Sequence, residues 1–137
     1  MTDPKSLQSI HFDLEELANG VYAAIDKPGG AAYCNAGIVD LGQRTLVIDA
    51  FDTALAARDL RSAAETLFSR PVTALLLTHT HSDHWVGSQA FEASTTMVTT
   101  GTIRQETLEW GAELVEDVAH PAEWDEYLVD LEGRLAV

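Results

Sequence analysis

Cysteine is almost absent from this chain, since Cys34 is the single one among 137 residues. A lone cysteine excludes an intramolecular disulfide. Hydrophobic residues make up 46% of the sequence, which is enough to build the core of one domain of ordinary size over residues 1–137. Cys34 lies in an apolar stretch with no activating neighbour visible in the sequence, so we interpret it as a small buried side chain.

Basic residues are also few. Eight Lys and Arg face 22 Asp and Glu, and the formal net charge is −14. Such a charge repels nucleic acid phosphates and anionic membrane surfaces at long range, so neither is an expected partner. The acidic residues are spread along the chain rather than gathered in one block, which indicates a solubilising surface.

The start of the chain has no apolar run. Residues 1–20 are mixed and acidic, and they contain no segment that could serve as a signal-peptide core or a membrane span. We therefore expect a cytoplasmic location. Internal repeats and low-complexity segments are lacking too.

Short apolar runs between turn residues predict strands. These runs lie at residues 21–25, 33–41, 45–49, 72–77 and 95–100. Gly42 and Gln43 form a short turn, so the second and third strands are expected to make a hairpin. The fourth run is almost continuously apolar, which is typical of a strand covered on both faces.

Helical spacing of apolar residues predicts the remaining elements. The predicted helices lie at residues 54–69, 85–93, from 102 to about 118, and in the tail at 121–137. Asp52 or Thr53 would cap the first helix, and Thr102 opens the third with capping-box spacing. A hairpin followed by alternating strands and helices predicts an α+β fold, with a mixed sheet and helices packed on one face.

Three of the five histidines fall within residues 79–84, directly after an apolar strand. Imidazole and carboxylate suit zinc and related ions such as iron or manganese. If the chain stays extended, His79 and His81 project to the same side and could grip one ion. Asp83 and His84, at the turn into the next helix, would point elsewhere and could hold a second ion.

A simpler interpretation of the same residues is helix capping. Ser82 or Asp83 could cap the helix that follows, and a single histidine beside a strand is usually structural. Capping explains only one of the four side chains, however. Packing three imidazoles and a carboxylate together without a metal would cost on the order of several kcal/mol in desolvation and charge. Metal ligation is therefore the favoured interpretation.

At this point the sequence resembles a known family. Residues 78–87, THTHSDHWVG, resemble the T-H-x-H-x-D-H-x-x-G signature of the metallo-β-lactamase superfamily, and residues 47–49, VID, resemble its first motif. The resemblance implies an αββα-type fold, of which this chain would be the N-terminal βα half. It also implies a hydrolase that uses metal-activated water.

The resemblance assigns roles to individual residues. His79 and His81 would bind the first metal, while Asp83 and His84 would bind the second. Asp49 would support the site from behind the ligands, and Asp83 would be catalytic by orienting the nucleophile. The cofactor would be one or two ions, with zinc as the first choice and iron or manganese as alternatives.

The resemblance leaves part of the site unaccounted for. Family members supply further ligands after this region: a third histidine, a bridging aspartate and a final histidine. His120 is the only later histidine, and it lacks the glycine-histidine-threonine context of the family's next motif, so we interpret it as a surface or loop residue. His11 has no motif context either.

Several alternatives stay open at this stage. The chain could be an N-terminal half that is inactive alone, it could associate with a complementary C-terminal half, or it could form a homodimer. It could be a hydrolase acting on a small molecule, or a non-catalytic metal-binding or interaction module. The substrate is not specified by these residues, because specificity in such folds lies in loops.

Overall fold

The computed structural model describes residues 3–114 and 121–136. The strands in these residues are β1 (Phe12–Ala18), β2 (Val21–Asp26), β3 (Ala36–Asp40), β4 (Thr45–Ile48), β5 (Val72–Leu76), β6 (Thr96–Val98) and β7 (Leu135–Ala136). The helices are α1 (Ala54–Phe68), α2 (Ser82–Trp85), α3 (Gly101–Leu114) and α4 (Pro121–Arg134), with 3-10 turns at Pro4–Leu7 and Val86–Ala90. None of the described helices combines the length and apolar character that crossing a membrane requires.

The strands form one mixed sheet in chain order, from β1 at one edge to β7 at the other. β1 to β4 pair antiparallel, and β4 to β7 pair parallel. The mixed sheet and the β3–β4 hairpin predicted from the sequence are both confirmed. The parallel part brings the carboxyl ends of β4, β5 and β6 to one edge, where the residues that follow each strand meet.

The helices cover one face of this sheet. Side chains in register across five strands are buried on that face: Tyr22, Ile38, Val47, Leu75 and Met97. One residue further along, the other face carries residues that are only partly buried or exposed: Ala23, Gly37, Ile48, Leu76 and Val98. The expectation that the fourth strand is covered on both faces therefore holds only in part, because Leu76 remains accessible within the described structure.

α1 supplies much of the buried face. Its buried residues repeat at helical spacing along the side that packs on the sheet: Ala56, Ala57, Leu60, Ala63, Ala64 and Leu67. Thr53, rather than Asp52, is the N-cap, and its Oγ1 accepts a hydrogen bond from the Ala56 amide (3.2 Å). The same hydroxyl donates to the Ala31 carbonyl (2.8 Å), so it also joins the helix to the loop after β2.

This double role of Thr53 leads to a stability prediction. Thr53→Ala is expected to lower the free energy of unfolding by about 1 to 2 kcal/mol, because the cap and the loop contact are lost together. Thr66→Ala, at an exposed position within α1, is the matched control and should change it by less than about 0.5 kcal/mol. Urea unfolding of both variants measures the difference. Equal midpoints for the two variants would contradict the assignment of Thr53 as the cap.

β1 is a strand that the sequence analysis does not predict. Phe12 and Leu14 are buried while Asp13 and Glu15 are exposed, so the first part of β1 alternates at the strand period. The alternation ends at Glu16, where the pairing with β2 shifts register. The strand begins in a segment rich in acidic residues, and this composition obscured a short but regular pattern.

β3 begins later than predicted, at Ala36 instead of residue 33. Tyr33 has a φ of 65°, which no regular strand contains. Its amide donates to Asp26 Oδ1 (3.1 Å), and Asn35 Oδ1 in turn accepts from the Asp26 amide (2.9 Å). These contacts fix residues 33–35 as a turn, and the turn carries Cys34 toward the end of the sheet where β4 and β5 stop.

The helix predicted at residues 85–93 is wrong. α2 ends at Trp85 and gives way to the 3-10 turn Val86–Ala90. The reason is tertiary, because the Gly87 amide donates to the Phe51 carbonyl (2.8 Å) and so cannot serve a regular helix. The helix N-terminus predicted at Thr102 is also shifted: Thr100 Oγ1 accepts from the Ile103 amide (3.3 Å), and α3 begins at Gly101.

The tail is helical as predicted, but only to Arg134. Leu135 and Ala136 then pair with Met97 and Val98 of β6 and extend the sheet. Leu131 and Leu135 are buried, so the end of the chain closes over the last strands. The part of α3 predicted over residues 115–118 lies outside the described residues.

Candidate metal centre

Two chemistry-bearing segments follow neighbouring parallel strands. Ile48 lies opposite Leu76, so the residues after β4 and β5 reach the same edge of the sheet. The Asp49 amide donates to the Leu76 carbonyl (2.8 Å), which continues the pairing one residue beyond β4. Asp49 and the histidine-bearing loop at residues 77–81 therefore lie side by side.

Asp49 is the polar centre of this edge and is only 5% exposed. Its carboxylate accepts hydrogen bonds from the Thr78 amide (2.9 Å), from Thr78 Oγ1 (2.7 Å) and from His84 Nδ1 (2.7 Å). A carboxylate has about four acceptor sites, so three donors leave little capacity for an ion. The arrangement lets Asp49 fix the orientation of the His84 ring, and its expected role behind the metal ligands stays a prediction.

The backbone around His84 is held equally firmly. The Ala50 amide donates to the His84 carbonyl (2.8 Å), and Gly87 donates to Phe51. A Cβ atom at Gly87 would lie 2.1 Å from the Ala50 carbonyl oxygen and 2.8 Å from that of Phe51. Only glycine fits this approach, which gives a physical reason for the glycine that ends the motif at residues 78–87.

The three histidines of the motif lie in one cluster. The ring centroids of His79 and His84 are 3.9 Å apart, and those of His79 and His81 are 4.8 Å apart. His79 is thus closer to His84 than to His81, the partner expected from the sequence. His81 is exposed and its ring stacks on Trp110, with centroids 6.2 Å apart and planes 14° from parallel.

Two groups of side chains have ligand atoms that all lie within 4.8 Å of one another. The first group consists of Asp49, His79 and His84, and the second of Cys34, Asp83 and His84. Imidazole, carboxylate and thiolate are the donors that zinc takes in proteins, so both groups fit that ion chemically. His84 belongs to both groups, whereas His81 belongs to neither within the part of the chain described.

Cys34 is the member of these groups that sequence reasoning missed. It is half-buried rather than fully buried, and its Sγ donates to the Asp83 carbonyl (2.8 Å) across a separation of 49 residues. Burial raises the pKa of the Cys34 thiol to about 12, and the charges of Asp83 and Asp49 add to the shift. The metal-free thiol is therefore neutral at physiological pH. No motif spacing in the sequence marks this position.

The electrostatics of this edge favour a cation. Burial and the charge of Asp83 together raise the pKa of Asp52, which follows β4 near Asp49. The carboxylates of Asp49, Asp52 and Asp83 create a negative local potential at this edge of the sheet, in a chain that is already strongly acidic. A bound divalent ion would relieve this repulsion.

A cleft of about 570 Å³ opens beside the cluster. Its lining includes His81 and Asp83 of the motif and Trp110 and Glu113 of α3. This volume lies within the range of roughly 300 to 1,000 Å³ that is typical of small-molecule sites. The cleft therefore has room for a small molecule beside His81 and Asp83 of the motif.

The two remaining histidines have different positions. His11 is buried, and its Nδ1 accepts from the Ala31 amide (3.0 Å), so it closes a loop near the start of the sheet. That role agrees with its lack of motif context. His120 lies outside the described residues, and its interpretation as a surface or loop residue stays a prediction.

Comparison with known proteins shows to which family the chain belongs. A sequence model of the metallo-beta-lactamase superfamily matches residues 29–135, which is most of the chain. The chain belongs to the metallo-beta-lactamase superfamily. Among curated proteins, none matches it in sequence.

Solved metallo-beta-lactamases share the fold. The enzyme from Hirschia baltica is 20% identical with a TM-score of 0.61, and the match covers 73% of this chain and 48% of that enzyme. One from Erythrobacter litoralis, with beta mercaptoethanol in the active site, is 21% identical with a TM-score of 0.64, and the match covers 76% of this chain and 48% of that one. FIM-1 from Pseudomonas aeruginosa, in a mono-zinc form, is 14% identical with a TM-score of 0.64, and the match covers 74% of this chain and 47% of FIM-1.

The chain thus spans about half the length of the metallo-beta-lactamase structures it matches. The fold is α+β, with a mixed sheet and helices on one face, as the sequence predicts. The sheet face that carries Ile48 and Leu76 is the one that the described helices leave accessible.

Proposed function

We propose that the chain is a metal-dependent hydrolase scaffold of the metallo-β-lactamase type. It would bind zinc, or iron or manganese, as one or two ions through His79, His81, Asp83 and His84. The convergence of this motif on Asp49 carries the proposal, because the buried carboxylate holds His84 in a fixed orientation (2.7 Å). Such carboxylate–histidine pairs are a common support for metal-ligating imidazoles.

Each side chain at this centre would have a separate role. With Nδ1 of His84 hydrogen-bonded to Asp49, its Nε2 faces Asp83 Oδ1 at 3.8 Å. When bound, the ion would lower the pKa of a water molecule, so that hydroxide forms near neutral pH. Asp83 lines the cleft, and its carboxylate would accept a hydrogen bond from that nucleophile and orient it. Trp110 and Glu113 would contact the substrate.

A complementary half is the proposed partner. The chain covers only about half of each neighbouring structure, and one face of its sheet is partly apolar and accessible. A C-terminal half, or a second copy of this chain, would bury that face and supply the remaining ligands. A small molecule would be the substrate of the completed site.

A non-catalytic metal-binding or interaction module is the second candidate. His81 favours it, because this motif residue stacks on Trp110 and lies outside both donor groups. A chain that keeps the fold and the scaffold around Asp49, while using only part of the motif, could bind an ion without turnover. Hydrolysis by the chain together with a complementary half would argue for the first candidate.

Metal analysis tests the proposal directly. We expect the purified protein to contain zinc or manganese near one equivalent, and to unfold at a higher temperature when zinc is added. A hydrolysis panel of β-lactam, thioester, phosphodiester and lactone substrates, with and without added metal, then separates the two candidates. Protein with no bound metal, and with no thermal shift under zinc or manganese, would refute metal binding altogether.

The partner is tested by the oligomeric state. A chain with an uncovered apolar sheet face should associate at micromolar concentration or bind a dye that reports apolar surface. Sedimentation and dye fluorescence measure these two properties. A stable monomer that binds no dye would rule out the second copy as the occupant of the face.

A further inference from the structure

One side chain outside the histidine motif reaches the candidate centre. Cys34 lies in the turn between β2 and β3, where Tyr33 at positive φ and the hydrogen bonds of Asp26 fix the backbone. Its Sγ lies within 4.8 Å of a ligand atom on Asp83 and of one on His84. Packing as a small half-buried side chain would not require Cys34 to lie beside two potential metal ligands.

We propose that Cys34 is a metal ligand, and that its thiolate binds one ion together with Asp83 and His84. This inference rests on the proposed metal-binding function and names a ligand beyond the motif. It assigns three protein donors to a single ion within this chain: a sulfur, a carboxylate oxygen and an imidazole nitrogen.

The orientation of His84 favours this group over the one that contains Asp49. Asp49 Oδ2 and His84 Nδ1 are 2.7 Å apart and share a hydrogen bond, so no ion fits between them. The other ring nitrogen is therefore the one available to an ion. It faces Asp83 Oδ1 at 3.8 Å, and Asp83 is also a member of the group that contains Cys34.

The spacing of the donors suits a tetrahedral ion. Zinc binds nitrogen and oxygen at about 2.0 to 2.2 Å and sulfur at about 2.3 Å, which separates two ligand atoms by roughly 3.4 to 3.6 Å. The 3.8 Å between Asp83 and His84 is close to this value. The Cys34 sulfur lies within 4.8 Å of both groups, so a movement of about 1 Å would bring it to the spacing of a zinc ligand.

Binding would exchange one proton for the ion. The S–H bond of Cys34 breaks, a sulfur lone pair forms the bond to the metal, and the proton leaves to solvent. The hydrogen bond to the Asp83 carbonyl is lost in the same step. Sulfur as a ligand also favours zinc over manganese, which prefers oxygen donors.

The consequence concerns the self-sufficiency of the chain. Three protein ligands with a fourth position left open match the arrangement of catalytic zinc sites. Cys34 would thus replace a ligand that a complementary half would otherwise have to supply. One ion could be held by the chain alone, whether or not a partner completes the rest of the site.

Cobalt provides the test, because a thiolate bound to cobalt gives a sulfur-to-metal charge-transfer band in the near ultraviolet. We expect wild-type protein titrated with Co²⁺ to show this band at one equivalent. Cys34→Ser should lose the band and bind cobalt at least ~100-fold more weakly, since even residues behind the ligands typically change affinity by about 10- to 100-fold. Tyr33→Ala, which alters an exposed ring in the same turn, should keep both properties.

X-ray absorption of the wild-type zinc protein gives a second measurement that needs no variant. A sulfur scatterer at about 2.3 Å is the expected result. Cobalt or zinc bound near one equivalent without sulfur in the shell would overturn the role of Cys34 and leave the proposed metal site standing. Absence of any metal binding would overturn the proposed function itself, and this inference with it.

Discussion

His84→Ala is expected to abolish the stabilisation of the protein by zinc. His84 belongs to both donor groups, so its loss leaves each with only two ligands. At a zinc concentration about 100 times the dissociation constant, the wild type should gain about 2.7 kcal/mol, which corresponds to a rise in Tm of roughly 10 °C. The variant should gain less than about 1 °C under the same conditions.

The measurement compares each protein with and without zinc, so it is insensitive to any general loss of stability in the variant. Thermal unfolding followed by circular dichroism suffices. His120→Ala, the replacement of a histidine that has no place in the motif, is the matched control and should keep the full shift. A His84→Ala protein that is stabilised as strongly as the wild type would show that zinc binds elsewhere.

The stoichiometry expected from this geometry is one ion per chain. Only one nitrogen of His84 is available, because the other is hydrogen-bonded to Asp49. The two donor groups therefore compete for the same ring rather than hold an ion each. A second ion would need ligands in addition to His79 and His81, whose ring centroids lie 4.8 Å apart.

Much of the fold could be predicted from the sequence because periodicity and turn residues report local structure directly. The β3–β4 hairpin and α1 follow from such signals, and the structure confirms them. The errors arise where distant contacts decide. The segment after Trp85 forms a 3-10 turn because the Gly87 amide donates a hydrogen bond to the Phe51 carbonyl. β7 forms because Leu135 pairs with Met97 of β6. Neither partner is near in sequence.

The candidate site likewise contains residues that the sequence predicts and one residue that it does not. The motif residues are contiguous, so their spacing alone indicates chemistry, and Asp49 is recognisable because it ends a strand. Cys34 is 49 residues away from Asp83, in a turn whose geometry depends on Asp26 and Asn35. A single cysteine carries no spacing signal. Only the three-dimensional fold could bring it to the other ligands.

The close approach of the 3-10 turn Val86–Ala90 to the loop after β4 leads to the second large effect, at Gly87. Gly87→Ala is expected to lower the free energy of unfolding by about 3 kcal/mol, the upper end of the usual range for overpacking. The added Cβ would stand 2.1 Å from the Ala50 carbonyl oxygen and 2.8 Å from the Ala57 side chain. Backbone atoms cannot rotate away as a flexible side chain can, so the whole segment must move.

That movement would also reach the metal centre. Ala50 donates to the His84 carbonyl, so shifting the loop away from Gly87 pulls on the contact between Asp49 and His84. Zinc affinity should fall together with stability, by roughly tenfold or more. Denaturant unfolding measures the first effect and zinc titration the second.

Gly133→Ala is the matched control for this substitution, because a Cβ there would meet nothing within 4 Å. In α4 the change should raise the free energy of unfolding by about 0.5 kcal/mol and leave zinc affinity alone, since alanine is the better helix former. The two glycine substitutions are therefore expected to change the free energy of unfolding in opposite directions. If Gly87→Ala unfolds at the wild-type denaturant concentration, the approach of the 3-10 turn Val86–Ala90 to the loop after β4 is looser than described, and Gly87 owes its place in the motif to something other than packing.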